Sequence, residues 1–330
     1  MPEIIVPASG ALPDALKAVR VTLTEIRIEG SAALPMEQPQ ALANRYIGRE
    51  ITGSDIFELA RSLTAMYRNA GYILSQTVVP PQDLSGGKLT LRVIEVYIAD
   101  VRIEGDPQVA GTLAGLGEKI RASRPLRADV LERYLLIAND LPGVRVRAVL
   151  APSQTVGAAD LTLIATVRRA EGFLSLDNYG SKYLGPGQLT VGATANQLFG
   201  VNDQLRFIGV TTGSSELSYG QLAYSQVVNS EGLKLGASAS QARTRPGDIL
   251  EPFDVRGRAD SVTLSAGYPL WRTRNESLLG RALFDYRNVD TDILGTRVIE
   301  DKIRALRLGL TWLAVDRLDG SNALDVIEIR

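Results

Sequence analysis

Cysteine and histidine are both missing from the 330 residues. Without cysteine there is no disulfide, no thiolate nucleophile and no cysteine-ligated metal. Without histidine, Ser-His-Asp and Cys-His catalysis are excluded, as are His-ligated metals and the commonest general base near neutral pH. Carboxylate and lysine chemistry stays open, but such a chain is a poor candidate for an enzyme. No run approaches 18 consecutive apolar residues, so there is no membrane-spanning helix. Neither sign of charge is in excess: 36 Lys and Arg face 37 Asp and Glu, for a formal net charge of −1. That argues against bulk attraction to nucleic acid or an anionic surface. The opening MPEIIVPASGALPD has neither the basic segment nor the apolar run of an intact export signal. The expectation is a cytoplasmic protein or a sequence that begins after a processed signal.

What is present is a repeat. IRIEG at 26–30 returns as VRIEG at 101–105. The alternating, β-branched stretch 21–29 predicts a strand. Segment 37–47 follows, and then 54–70, where Ile56, Leu59, Ala60, Leu63, Met66 and Tyr67 recur at helical spacing. Ser54 or Asp55 is read as its N-cap and Gly71 as its stop. YILSQTVV (72–79) predicts a second strand, PPQDLSGG a break, and KLTLRVIEV (88–96) a third strand. The same order then recurs: strand 98–104, helices 108–121 and 127–140, strands 144–150 and 160–168. Two copies of one β-α-α-β-β module account for the repeated pentapeptide.

After residue 170 the composition shifts to Gly, Ala, Ser, Thr, Asn and Gln, and helical periodicity fades. About nine strands are expected: 172–180, 187–198, 203–212, 216–227, 232–242, 259–269, 277–289, 303–313 and 322–330. Most have the length of roughly 9–11 residues with which a tilted strand crosses a bilayer. Alternation is clean in several, as in Leu189, Val191, Ala193 and Ala195 against Gln188, Thr190, Thr194 and Asn196. Strands 203–212 and 216–227 alternate poorly and give no clean facing. With the first strand running outward, the long gaps 243–258 and 290–302 fall outside the membrane, and the inner turns 199–202, 228–231, 270–276 and 314–321 are shorter.

The helix ending YRNAGY, the Pro80-Pro81-Gln82 break and the V-I-E close resemble a POTRA domain, in the paired form of two-partner secretion transporters, the haemolysin and filamentous-haemagglutinin exporters. FLSLDNYGSKYLGPGQL (173–189) and GYPLWRTRNESL (267–278) resemble barrel passages of the same family. The resemblance covers about 21–315. It implies an N-terminal linker or plug-helix remnant at 1–20, POTRA domains at 21–97 and 98–169, and part of an antiparallel transmembrane β-barrel at 170–330. The family's barrel has sixteen strands, so the rest, with a late Arg-Gly loop, is expected beyond Arg330. Val255-Arg256-Gly257 lies too early for that loop and is read as a coincidence.

The resemblance also implies an outer-membrane pore with its POTRA domains in the periplasm, exporting an unfolded exoprotein of adhesin, haemolysin or toxin type. The client would add as a strand to the edge at 72–79, with Tyr67, Tyr72, Leu74 and Val78 lining the groove. Packing of the module's own core is an equally good reading of each of the four. Lipid is the other expected partner. No nucleic acid, nucleotide, cofactor, metal or catalytic residue is expected: GGK at 86–88 lacks the glycine spacing of a P-loop. The carboxylates at 290, 292, 300 and 301 read as a solvated external loop. The alternatives are an assembly factor that inserts other barrels and a soluble periplasmic binding protein with a β-sandwich C-terminal half.

Overall fold

The computed structural model describes residues 4–5, 20–213, 215–318 and 321–329. Apart from Ile4, Ile5 and Arg20, the expected linker or plug at 1–20 lies outside these. The chain divides into two compact units. One holds Met1–Glu104, Leu113–Leu135 and Val146–Ile164; the other holds Gly105–Thr112, Leu136–Arg145 and Ala165–Arg330.

After the short strand β1 (Ile4–Ile5), the first module runs β2 (Arg20–Thr22), β3 (Glu25–Glu29), α1 (Glu37–Asn44), β4 (Glu50–Thr52), α2 (Gly53–Asn69), β5 (Gln76–Val78) and β6 (Lys88–Ile94). The sheet order is β3-β6-β5, with β3 parallel and β5 antiparallel to β6. Ile26 and Ile28 of β3 and Leu89, Leu91 and Val93 of β6 turn one face inward, against Ile56, Leu59, Leu63 and Tyr67 of α2. Burial of each large apolar side chain contributes about 1.5–3 kcal/mol.

Two local expectations are corrected. The N-cap of α2 is Thr52, not Ser54 or Asp55: Thr52 Oγ1 accepts the Asp55 N–H, and the Asp55 carboxylate accepts the Thr52 N–H at 2.6 Å. This reciprocal capping box satisfies two backbone donors that the helix start leaves unpaired. The second strand is Gln76–Val78 rather than 72–79, because the Tyr72 N–H returns to the Tyr67 carbonyl and the Ser75 N–H to that of Tyr72. Those bonds coil the chain through Tyr72–Ser75 instead of extending it.

The second module contains β7 (Tyr97–Gly105), α3 (Pro107–Arg121), α4 (Ala128–Asn139), β8 (Val144–Pro152) and β9 (Ala158–Val167). Its sheet order, β8-β9-β7, repeats the first-third-second arrangement, and β1 pairs with β8 in parallel at Ala148 and Val149. The glycine of the repeated pentapeptide has one purpose in both copies. Gly30 (φ 76°) and Gly105 (φ 107°) lie in the left-handed region, and a Cβ would come 2.4 Å from the Val93 carbonyl oxygen in the first and 2.0 Å from that of Ala165 in the second. Only glycine combines that conformation with that approach.

The remaining strands form one antiparallel meander: β10 (Ala170–Asp177), β11 (Gln188–Asn196), β12 (Asp203–Thr212), β13 (Leu217–Val227), β14 (Lys234–Thr244), β15 (Arg256–Arg272), β16 (Glu276–Ile293), β17 (Thr296–Leu318) and β18 (Ser321–Ile329). All nine expected strands are present. The sheet is open: β10 and β18 are its two edges. The expected external loop at 290–302 is instead strand, since β16 and β17 run on as a ribbon to a two-residue turn at Leu294 (φ 52°) and Gly295 (φ 78°). One face of that ribbon carries Asn288, Asp290, Asp292, Glu300 and Lys302, and the other mixes Val289, Ile293 and Ile299 with Thr291, Thr296 and Asp301, so no continuous apolar stripe marks it as strand.

Candidate functional site

One edge of the first module's sheet is β5, only three residues long; the other is β3. Gln76 faces Ile94 and Val78 faces Arg92, with Thr77 opposite Val93 between them. The Thr77 N–H is turned away from β6 and donates to Thr64 Oγ1 of α2 at 2.9 Å, so Gln76 and Val78 are the residues that exchange bonds with β6. The Thr64 hydroxyl is held in turn, donating to the Ala60 carbonyl at 2.9 Å.

Beyond Val78, Pro80 and Pro81 end the strand, and β6 would present bare backbone at Thr90. Gln82 covers it. Its amide nitrogen donates to the Thr90 carbonyl at 2.8 Å and its oxygen accepts the Thr90 N–H at 2.6 Å. One carboxamide thus copies the donor and acceptor of a neighbouring strand, leaving β5 as the stretch of this edge that another chain could extend.

The four residues expected to line the groove have separate fates. Tyr67 is fully buried and belongs to the core. Its hydroxyl lies 2.6 Å from Ser31 Oγ and donates to Glu95 at 3.0 Å, while the same Glu95 oxygen accepts the N–H groups of Ala32 and Ala33 at 2.7 Å each. Desolvation, with the Glu95 charge beside it, pushes the phenol up to about 12. The V-I-E close is therefore a clasp tying the end of β6 to the loop after β3 through the last turns of α2. Tyr72 is half-buried, tilted against Tyr67 with ring centroids 6.0 Å apart, and Arg127 of the second module lies 5.7 Å over its ring. Beside it the Ala128 N–H donates to the Gly71 carbonyl at 2.8 Å. Asp129 fixes the Arg127 guanidinium, which holds the Asp129 carboxyl below its ordinary range. Tyr72 is thereby committed to the junction between modules. Leu74 and Val78 are the two of the four that are part-exposed without such a commitment. Val78 projects from the opposite face of the sheet to Thr77.

The nine-stranded sheet has two unlike faces, and register assigns them where alternation alone did not. Val191 pairs through Ala193 and Phe207 with a set that includes Leu205, Leu222, Tyr224, Leu235, Leu264, Val262, Phe284, Tyr286, Leu306 and Leu308. Phe207, Leu222, Leu264, Leu306 and Leu308 are 44–69% exposed. A contiguous apolar surface of this extent does not face water in a stable protein, and the sheet is no half of a β-sandwich. On β16 the apolar stretch from Leu278 to Tyr286 covers about 27 Å of strand at roughly 3.4 Å per residue, matching the ~25 Å apolar band of outer-membrane barrels. The other face carries Arg206, Gln221, Ser238, Ser240, Ser261, Thr263, Asp285 and Arg307. These bond to one another: Ser240 to Ser261 at 2.7 Å, Thr263 to Asp285 at 2.7 Å, and Arg307 to Asp285.

The strand ends separate as well. The β11–β12 turn reaches the second module's segments within its own compact unit: Gln197 donates to the Pro142 carbonyl at 3.0 Å and Asn202 to Thr112 at 2.7 Å. From the β15–β16 turn, Arg272 grips both carboxylate oxygens of Asp140, at 2.8 and 2.9 Å. At the opposite end the loops bond among themselves, as in the Gly247 N–H to the Tyr183 carbonyl, the Leu294 N–H to that of Phe253, and Lys182 to Asp248. The expected inner turns 199–202 and 270–276 and the expected outer loop 243–258 thus lie at opposite ends of the sheet, while the expected inner turn 314–321 falls partly outside the described residues.

Residues 21–96 match the model of the ShlB-type POTRA domain, and residues 161–321 that of the haemolysin secretion/activation proteins ShlB/FhaC/HecB. The chain carries both domains of this family. Relatives include the heme/hemopexin transporter protein HuxB of Haemophilus influenzae strain 86-028NP, 23% identical over 298 residues, 88% of this chain and 53% of that protein. Another is the outer membrane transporter CdiB of Dickeya dadantii strain 3937, 28% identical over 201 residues, 61% of this chain and 36% of the relative. The chain spans about half the length of the curated relatives it matches. Among solved structures, CdiB from Escherichia coli superposes with a TM-score of 0.71 at 19% identity, covering 93% of this chain and 58% of that one. CdiB from Acinetobacter baumannii gives 0.60 at 18% identity, covering 99% and 66%. These likenesses establish the fold: POTRA modules followed by a barrel-type sheet. In these domains the fragments that carried the resemblance have physical tasks. Tyr67 and Glu95 close the first module, Gln82 seals a strand edge, and Arg272 anchors a turn. Asp140 and Thr64 were not singled out in the sequence, since neither sits in a motif and their partners are distant in the chain.

Proposed function

We propose that the protein is the N-terminal part of an outer-membrane translocation pore that takes an unfolded exoprotein in the periplasm and passes it to the cell surface. One observation carries the reading: a meander with one lipid-suited and one hydrogen-bonded polar face follows directly on paired POTRA modules. The relatives named as transporters support it. On this reading the polar face lines the passage, the apolar face meets lipid, and neither nucleic acid nor nucleotide takes part. The work is binding and passage, with no covalent step.

Client docking is assigned to β5. An extended segment adds to this edge by main-chain hydrogen bonds, which demand little of its sequence. Leu74 and Val78 supply apolar contact, and Tyr67 and Tyr72 hold the edge in place from the core and the module junction. The test is deletion of the gene followed by comparison of secreted and periplasmic proteins. Loss of a large secreted protein, with its fragments trapped in the periplasm, is the expected result. An unchanged set of secreted proteins would refute the reading.

A further inference from the structure

The docking edge is closed in the structure, and the residue that closes it is not on the edge. Within β5 only Thr77 turns its backbone away from β6, so an incoming strand finds a single N–H donor there, and Thr64 Oγ1 already accepts it at 2.9 Å. The Thr77 carbonyl, on the same side, receives no hydrogen bond among the described residues. Thr64 lies on α2, half-exposed, with its own proton committed to the Ala60 carbonyl, so its lone pairs aim at the strand. A second observation marks the segment. The side-chain hydroxyls of Ser75 and Thr77 are buried without a partner, although Ser75 is 1% and Thr77 9% exposed. Buried hydroxyls are almost always paired, so two without a partner in three residues single this stretch out.

We propose that Thr64 is a gate on the client-docking edge: its hydroxyl stands in for a client carbonyl at the Thr77 N–H and must be displaced before a strand can add. The proposal rests on the assignment of docking to β5. Physically, the gate substitutes one hydrogen bond for another, so a client gains only from its remaining contacts. A segment that offers a single carbonyl exchanges like for like and gains nothing, whereas one that also places apolar side chains at Leu74 and Val78 wins. The gate therefore selects for extended, apolar-patterned chains and against random backbone.

The test uses the full chain in detergent micelles, with Thr64→Val to remove the hydroxyl at constant shape and Thr64→Ser to keep it. Amide exchange at Thr77 is read against Leu91 in the central strand. The probe is an end-blocked eight-residue peptide of alternating valine and threonine with terminal lysines, alongside its backbone N-methylated form. Thr64→Val should speed Thr77 exchange at least about tenfold without changing Leu91. It should also bind the peptide about fivefold more tightly, the equivalent of one neutral hydrogen bond, while Thr64→Ser behaves as the parent. Unchanged exchange at Thr77, or equal peptide affinity in all three proteins, overturns the gate while leaving the docking edge standing. If the peptide binds none of them, or its N-methylated form binds equally well, the docking assignment fails and the gate falls with it.

Discussion

Tyr67 shows how one side chain can be both core and connector. Its ring belongs to the buried core cluster that includes Leu59, Leu63 and Val93, while its hydroxyl joins Ser31 and Glu95. Tyr67→Phe keeps the packing and leaves the Glu95 carboxylate one donor short, which should cost about 1–2 kcal/mol in chemical denaturation. The phenol is held neutral, raised from 10 to about 12. Its contribution is fully present below pH 10 and is lost as pH rises through 12. Absorbance titration at 295 nm should show one tyrosine ionising near 12 that Tyr67→Phe removes. Gln82→Ala uncovers the Thr90 backbone and should cost about 1–2 kcal/mol, with faster amide exchange at Thr90. Legibility at this scale was uneven. The periodicity of Ile56, Leu59, Leu63 and Tyr67 marked the inward face of α2, yet Tyr67 was also expected in the groove, because a sequence shows that a tyrosine lies on a face and not how deep its ring goes. Tyr72 gave no sign of its partner, because Arg127 is 55 positions on and belongs to another module.

Elements were more readable than side chains wherever one face is buried or continuously apolar. β11 and β14 through β17 alternate because each has one apolar side. β12 and β13 do not, because Ile208, Val210 and Tyr219 sit on the polar face and Gly209 and Gly220 on the other; only pairing with their neighbours assigns them. The two faces make a direct prediction. Leu264→Arg places a charge in the apolar band and should cost about 2–4 kcal/mol if near the bilayer midplane, whereas Ser265→Arg, one residue on, should be tolerated. Recovery in the membrane fraction, compared between the two variants, checks this. At the start of α2 the Thr-Gly-Ser-Asp sequence contained the capping box, and reading Ser54 or Asp55 as the cap mistook the N3 partner for the cap itself. Thr52→Ala should cost about 1 kcal/mol. The Asp55 carboxyl is held below 3.8, chiefly by the backbone N–H of Thr52. Its contribution is present above the ordinary carboxylate value and is lost as pH falls through the lowered one. Asp55→Asn, which removes the titrating carboxyl, should therefore narrow the stability difference between pH 7 and pH 3.

At the scale of the molecule, the pair order of strands, the two modules and the sidedness of turns and loops were all legible, because gap length and composition report them. The anchorage was not: Asp140 and Arg272 are 132 positions apart, and nothing local in either connects them. Their bidentate pair is part-exposed, so a double-mutant cycle with Asp140→Asn and Arg272→Ala should give a coupling of about 1 kcal/mol, read from thermal denaturation in micelles. The shortness of β5 has a consequence in time as well as in energy. A strand of three residues with one outward-facing residue gives a partner so few main-chain bonds that affinity falls near the millimolar range, about −4 kcal/mol. Millimolar complexes formed at ordinary association rates of about 10⁵–10⁷ M⁻¹s⁻¹ dissociate within about ten milliseconds or faster. A receptor built this way samples a passing chain many times over and never detains it, so its successive segments can be handed onward as quickly as they arrive.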